Sequence, residues 1–395
     1  MNRRMRVGEL VFSLDVQAEG GGITRFVTAL SQALDAEQFE PLVCGLWRRG
    51  SAVENERMRD LLERGIQTFT CAEWDEKHPY AAFIQAYRSL RTFLKHQPVD
   101  ILHSHSEFSD VAAMLLKLEG IAPIIVRTLH NGLPTEWRRK PLRRWLLSYL
   151  LFPLLYDREI GVSPHITQYL DQRWLARVLG RAGQTINNAV DLSRFRPQPE
   201  NRWLVRQELG LPQDAYLVGS VGRLGIEKGY DLLIQAAAQV SQQAEKIYVL
   251  IVGDGKQAAS LRQQAAETGI GQRVIFTGPR PDIERLLSSL DLFVCASRWE
   301  GLSTAILEAM ASGVPVVATD IPGNREILID GENAWLVAAE NSSAIAAAIV
   351  TAMNKPERAK ALAQRALADV LKYKIDRVAA QHGQLYQDLL SVSNL

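Results

Sequence analysis

The 395 residues exceed what one hydrophobic core organises, since cores stop growing near about 250–300 residues, so two α/β domains with a cleft are expected. Lys and Arg number 45 against 44 Asp and Glu, a net charge of +1, which excludes the global positive field that draws a protein onto nucleic acid. Cys44, Cys71 and Cys295 stand singly in apolar runs, without metal-ligand spacing or a paired framework, and read as buried, reduced thiols of a cytoplasmic protein.

In chain order, MNRRMRVGELVFSLD is basic and then apolar but has no cleavage site of the signal-peptide kind, and reads as a first buried strand. No window reaches the roughly 18–20 uninterrupted apolar residues of a membrane-spanning helix. Strands are predicted at RVGELVFSL, PLVCGL, IQTFTC, VDILHSH, PIIVRTLH, EIGVS and QTINNA, with helices between them that include Ile23 to Leu34, Phe83 to Lys95 and Ile166 to Leu179. Asp191 to Arg202 is polar, carries Pro197 and Pro199 and lacks apolar periodicity, as a linker should. The alternation restarts with YLVGSVGRL, KIYVLIVGDG, RVIFTG, LFVCAS, VPVVATD and AWLV, and the last 50 or so residues read as helical. Two doubly wound parallel sheets follow: residues 1–195, residues 196–372, and a terminal helical segment, 373–395, free to pack back on the first domain.

Ligands of open parallel sheets bind beyond the carboxyl ends of the strands, so the residues that follow each strand are the ones to weigh. After YLVGSVG comes RLGIEKG, which puts Arg223 and Lys228 on a loop closed by Gly229 and leading into a helix; two cations there suit a diphosphate. After LFVCAS comes SRWEGLSTAILEAMASGVPVVATD, in which Glu300 sits on a loop and Glu308 lies within a helix whose first amides, at Leu302, Ser303 and Thr304, suit phosphate. A carboxylate accepts hydrogen bonds from vicinal diols, so one Glu can hold a sugar and the other a ribose. Ile306, Leu307, Ala309 and Met310 around Glu308 argue against a solvated position. His103 and His105, two apart on a strand, are expected on opposite faces, with His105 facing the ligand and His103 packed in the core. His130 ends the next strand. No His, Cys, Asp and Glu cluster has metal-ligand spacing.

GRLGIEKG, VGDG and EGLSTAILEAMASGVPVVATDIPGNREIL, in this order and spacing, resemble the retaining GT-B glycosyltransferases of family 4. EGGGITRF, DILHSHS and INNAVDLSRF are similar to that family's glycine-rich loop, histidine-bearing strand and linker signature, so the likeness covers most of the chain. The resemblance implies a GT-B fold, two Rossmann-like domains facing across a cleft, and a nucleotide-diphosphate sugar donor, UDP before GDP. It assigns Arg223 and Lys228 to the diphosphate, Glu300 to the transferred sugar and Glu308 to the ribose. Gly22 would admit close backbone approach to the phosphates, and His105, with His130 second, would lie on the acceptor side. It further implies retention of anomeric configuration, no bound metal and no cofactor. The chain departs from the family pattern at Ala189, at Ser303 and at Gly225-Ile226; Ser303 remains compatible with a helix N-cap.

Three rival readings stand beside this one. A dinucleotide-dependent oxidoreductase needs GxGxxG after the first strand, where this chain has Gly20, Gly21 and Gly22 followed by Arg25. A sugar-nucleotide epimerase on the same scaffold and a catalytically silent nucleotide-sugar-binding homologue are the others. For the acceptor, EWRRKPLRRWLLSYLLFPLLY places Arg138, Arg139, Lys140, Arg143 and Arg144 before an aromatic, apolar helix broken at Pro153. This pattern suits an anionic membrane surface, and hence a glycan or lipid-linked acceptor in cell-surface polysaccharide or glycolipid synthesis; the alternative is a buried helix with a solvated start. The protein is thus expected in the cytoplasm, or peripheral on the membrane's inner face.

Overall fold

The computed structural model describes residues 3–16, 21–130 and 141–393. The chain forms two compact units, Met1–Asn188 together with Ile375–Leu395, and Ala189–Lys374. It leaves the first unit after Asn188, ahead of the polar run, and a helix, Asn201–Glu208, already begins within that run.

The first unit holds a seven-stranded sheet of β1 (Met5–Ser13), β2 (Phe39–Arg48), β3 (Gln67–Glu73), β4 (Ile101–Ser104), β5 (Ile124–Leu129), β6 (Arg158–Gly161) and β7 (Gln184–Thr185). Its order is 3-2-1-4-5-6-7 and every pairing is parallel. The register sets Glu9 beside Val43 of β2 and His103 of β4. The strands are short apolar runs because helices cover both faces, and Leu10, Leu42, Leu46, Leu90, Leu102 and Leu116 are fully buried. Each such side chain contributes about 1.5–3 kcal/mol. The C-terminal helix, Ile375–Ser393, packs on the helix Gly21–Ala33.

The helix expected over Ile166 to Leu179 is two, Pro164–Asp171 and Trp174–Val178. Arg173 separates them with extended backbone and turns its guanidinium inward onto Glu159, where it is 1% exposed. A continuous helix would not carry that charge to its partner, and an unpaired buried charge is costly.

The second unit holds β8 (Tyr216–Val221), β9 (Ile247–Val252), β10 (Val274–Gly278), β11 (Leu292–Cys295), β12 (Val316–Thr319) and β13 (Trp335–Val337), in the order 10-9-8-11-12-13. Val218, Leu233, Ile251, Leu292, Val294, Val317, Ile345 and Ile349 form its core. In each unit the strand order reverses beside the first strand, between β1 and β4 and between β8 and β11. Those switch points are where open α/β sheets bind ligands.

Candidate functional site

In the second unit the loops after β8 and β11 meet at the switch point. The β8 loop runs from Gly222 through a 3-10 turn, Ile226–Lys228, to Gly229, whose φ of 63° lies in the left-handed region. A Cβ on Gly229 would stand 2.0 Å from the Ala296 carbonyl oxygen, so glycine alone lets the β8 loop rest on the end of β11. The VGDG motif does the same from below. A Cβ on Gly253 would meet the Gly222 carbonyl at 2.0 Å, and Leu224 donates its N–H to the Asp254 carbonyl at 2.9 Å.

These contacts bring Lys228 to Glu300, with Nζ 2.5 Å from Oε1, while Ser297 Oγ donates to the same oxygen at 2.9 Å. Burial works against the Lys228 charge, but the adjacent Glu300 carboxylate prevails and holds the ammonium above its ordinary pKa. Lys228 keeps 23% of its side chain exposed and Glu300 7%, so the pair is sheltered yet open to a ligand on one side. Arg223 is more exposed and bonds Glu227 at 2.7 Å.

Arg298, which the sequence reading passed over, ties the two loops together. Its guanidinium grips Asp231 through two bonds of 2.8 Å and donates to the Ile226 carbonyl at 2.7 Å, while its N–H reaches the Glu227 carbonyl at 2.7 Å. The short helix Pro322–Arg325 backs Glu300, since a Cβ on Gly323 would stand 2.4 Å from the Glu300 carbonyl oxygen. Ser303 caps the helix Thr304–Ala311 by position, without a side-chain cap bond, and Leu302, Ser303 and Glu308 are buried. Arg223, Lys228, Glu300 and the head of this helix therefore lie on adjoining loops, with Glu308 one turn further in.

In the first unit Gly22 is the second residue of Gly21–Ala33, just after the first strand. The two histidines do not divide between faces as expected. His103 and His105 have ring centroids 4.1 Å apart, because side chains two apart along a strand share a face, and the His105 N–H, bonded to the Leu10 carbonyl at 3.1 Å, carries the β1–β4 ladder one bond past Ser104. His103 is a core histidine with both ring nitrogens bonded, Nδ1 to Tyr386 and Nε2 to Thr128. His105 Nε2 lies 2.7 Å from Glu9 Oε2 and its Nδ1 3.1 Å from His130 Nε2, and His130 Nδ1 lies 3.1 Å from Asn188 Oδ1. Phe26 closes over His105, His130 and His382. Glu9, His103 and His105 bring ligand-type atoms within 4.8 Å of one another, a grouping no sequence spacing announces. Those atoms are spent on hydrogen bonds to one another and to Tyr386, and the set reads as a proton-bearing network.

Burial keeps these rings neutral. It lowers His105 to about 3 and His382 to about 4, and takes His103 and His130 well below their usual range, while it raises Glu9 to about 7. In the unfolded chain the four histidines bind protons below pH about 6.5 and in the folded one they do not, so each contributes stability that is lost as the pH falls. Glu9 acts in the opposite sense, because its folded carboxyl keeps a proton that the unfolded one releases. Four groups outweigh one. The melting temperature should drop as the pH is taken from about 7 to about 5, and His103→Gln with His382→Gln should shallow that slope; an unchanged slope in the variant contradicts this assignment.

Over 98% of its length the chain superposes on Anabaena HepE, solved with UDP and glucose, with a TM-score of 0.80, 100% of that chain covered and 21% identity, a likeness of fold. Residues 20–194 match the family described as Glycosyltransferase Family 4, and residues 201–369 the family described as Glycosyl transferases group 1. The chain is a GT-B glycosyltransferase of family 4. Among members of this family it is 28% identical over 307 residues to the putative glycosyltransferase EpsD of Bacillus subtilis, across 77% of this chain and 80% of that one. It is 26% identical over 332 residues to the UDP-Gal:alpha-D-GlcNAc-diphosphoundecaprenol alpha-1,3-galactosyltransferase of Escherichia coli, across 80% of each chain.

Proposed function

We propose that this family member transfers a sugar from a UDP-sugar to a glycan or lipid-linked acceptor in cell-surface polysaccharide or glycolipid synthesis, with retention of configuration and without a bound metal or cofactor. The observation that carries the donor reading is the Lys228–Glu300 pair at the β8/β11 switch point, braced by Arg298. Lys228 meets the diphosphate, and Arg223 exchanges Glu227 for it; Glu300 takes the sugar hydroxyls. Glu308 takes the ribose, and the amides of Leu302, Ser303 and Thr304 take phosphate oxygens. Gly22 leaves room for a ligand at the head of its helix, and His105 with His130 marks the acceptor side. As the acceptor hydroxyl attacks the anomeric carbon, the bond to the phosphate breaks and the phosphate oxygen takes the hydroxyl proton, so positioned cations do most of the work. Incubation with a panel of UDP- and GDP-sugars in the presence of chelator tests this. Release of UDP, with the product's anomeric configuration matching the donor's, is expected; an epimerised donor with no nucleotide released would point to an epimerase instead.

A membrane-linked acceptor draws support from an exposed apolar surface in the first unit. Leu142, Trp145 and Leu146 on Pro141–Leu151, Leu154 beyond them, and Trp174 and Val178 on the adjoining helix are all exposed, with Val178 at 75%. Arg143 lies beside them, bonded to Glu107 at 2.7 Å, whereas Arg138, Arg139, Lys140 and the Arg144 side chain fall outside the described residues. Among the described residues no helix is long and apolar enough to cross a membrane. Wild type should float with vesicles containing anionic lipid, and Trp145→Glu with Trp174→Glu should not; equal recovery of both at the bottom of the gradient removes this part of the reading.

A further inference from the structure

The buried polar set around Glu9 fixes its own hydrogens. Asn188 presents its amide oxygen to His130 Nδ1, so that nitrogen carries the hydrogen and Nε2 of the neutral ring offers a lone pair. His105 Nδ1 faces that lone pair and must donate, which leaves His105 Nε2 bare. Only 2.7 Å away is Glu9 Oε2, and a contact so short between two acceptors needs a hydrogen, which only the carboxyl can bring. The other oxygen, Oε1, accepts from Tyr386 at 3.0 Å; the Tyr386 oxygen accepts from His103 Nδ1, and His103 Nε2 accepts from Thr128. With Glu9 protonated, every one of these contacts is a normal bond between neutral groups.

We propose that Glu9 is a positioning residue that holds its carboxyl proton against His105 and so sets the tautomers of His105 and His130. Loss of that proton reverses the chain. An ionised Glu9 demands N–H on His105 Nε2, then on His130 Nε2, and leaves a bare His130 Nδ1 against the Asn188 oxygen, which only a turn of the amide relieves. Glu9 thus decides, two side chains away, which face of His130 donates. The groups facing Glu9 are His103 and His105 from β4 and its end, and His382 and Tyr386 from the C-terminal helix; β2 offers only Val43 in register, and Arg25, the one titratable residue of Gly21–Ala33, is partly exposed. Burial outweighs His382 and Tyr386 and raises Glu9 to about 7, which brings the reversal into the neutral range.

Only the activity arm of the test rests on the acceptor-side reading of His105. In full-length protein labelled with 15N-histidine, long-range proton–nitrogen spectra should show hydrogen on Nδ1 of both His105 and His130 on the acid side of pH about 7 and on Nε2 on the alkaline side. Glu9→Gln keeps a donor toward His105 and an acceptor toward Tyr386 at any pH, so it should hold the Nδ1–H form throughout. Nucleotide release by the wild type should then step near that pH, and the step should vanish in Glu9→Gln. An Nε2–H His105 on the acid side, or the same pH response in Glu9→Gln, overturns the proposal, and the wild-type spectra decide the tautomers whatever the variant's yield. A flat wild-type rate profile across that range overturns the positioning role. Absence of nucleotide release under all conditions counts against the proposed function alone.

Discussion

Lys228→Ala is expected to lower the rate of nucleotide release by about 10²–10³-fold, the loss seen when one preorganised contact to developing charge is removed. Lys228 leaves a 3-10 turn that glycine pins to β11, so its ammonium is held in place before any ligand arrives. Preorganisation of this kind costs nothing at the moment of reaction, when charge grows on the departing diphosphate. The variant also leaves Glu300, 7% exposed, with the Ser297 hydroxyl as its donor in place of the lysine. Because the pair opens to solvent on the lysine side, water can fill the gap, and the melting temperature should move little. Lys228→Arg should recover only part of the rate, since a planar fork does not reproduce a point charge against Glu300 Oε1. Loss of activity that merely tracks loss of fold would contradict the assignment.

The largest stability effect is expected in the first unit, at Glu159. Its carboxylate takes two bonds from Arg173, a close one to Nη2 and one of 3.1 Å to Nη1, and lies 3.5 Å from Arg127 Nη1. Arg127 in turn meets Asp110 at 3.0 Å and stacks over Phe152 at 4.1 Å. Glu159→Ala strands the Arg173 guanidinium in a site 1% exposed, with the Leu170 and Ser148 carbonyls as its remaining hydrogen-bond acceptors among the described residues. Leaving one member of a buried pair uncompensated costs about 3–5 kcal/mol. For a unit of this size that is a fall on the order of 10 °C in melting temperature. Glu159→Gln, which keeps an acceptor oxygen, should lie between. A change of less than about 1 kcal/mol would mean that water reaches Arg173, contrary to its burial.

Much of this was legible in the sequence because parallel sheets write themselves as apolar runs, and six such runs in the second half correspond to β8 through β13. The loops carrying Arg223, Lys228 and Glu300 were legible too, since glycines and charges directly after strands mark a switch point. What escaped depends on contacts distant in sequence. Glu9 and Tyr386 are 377 residues apart, and nothing local says that the C-terminal helix returns to β1. Arg298 stood next to Glu300 in plain view, but its partner Asp231 lies 67 residues away, so its bracing role appears only once β8 and β11 are neighbours. The expectation that His103 and His105 divide between faces failed because a strand's two-residue period places side chains two apart on the same face, and the ladder with β1 carries on to the His105 N–H.

Calorimetric titration of the protein with UDP, GDP, ADP and NAD, in the presence of chelator, reads donor recognition by Lys228 directly. One nucleoside diphosphate, UDP first, should bind the wild type without metal and bind Lys228→Ala at least about tenfold more weakly; no binding by any diphosphate, or equal binding to both proteins, would contradict a donor site at Lys228.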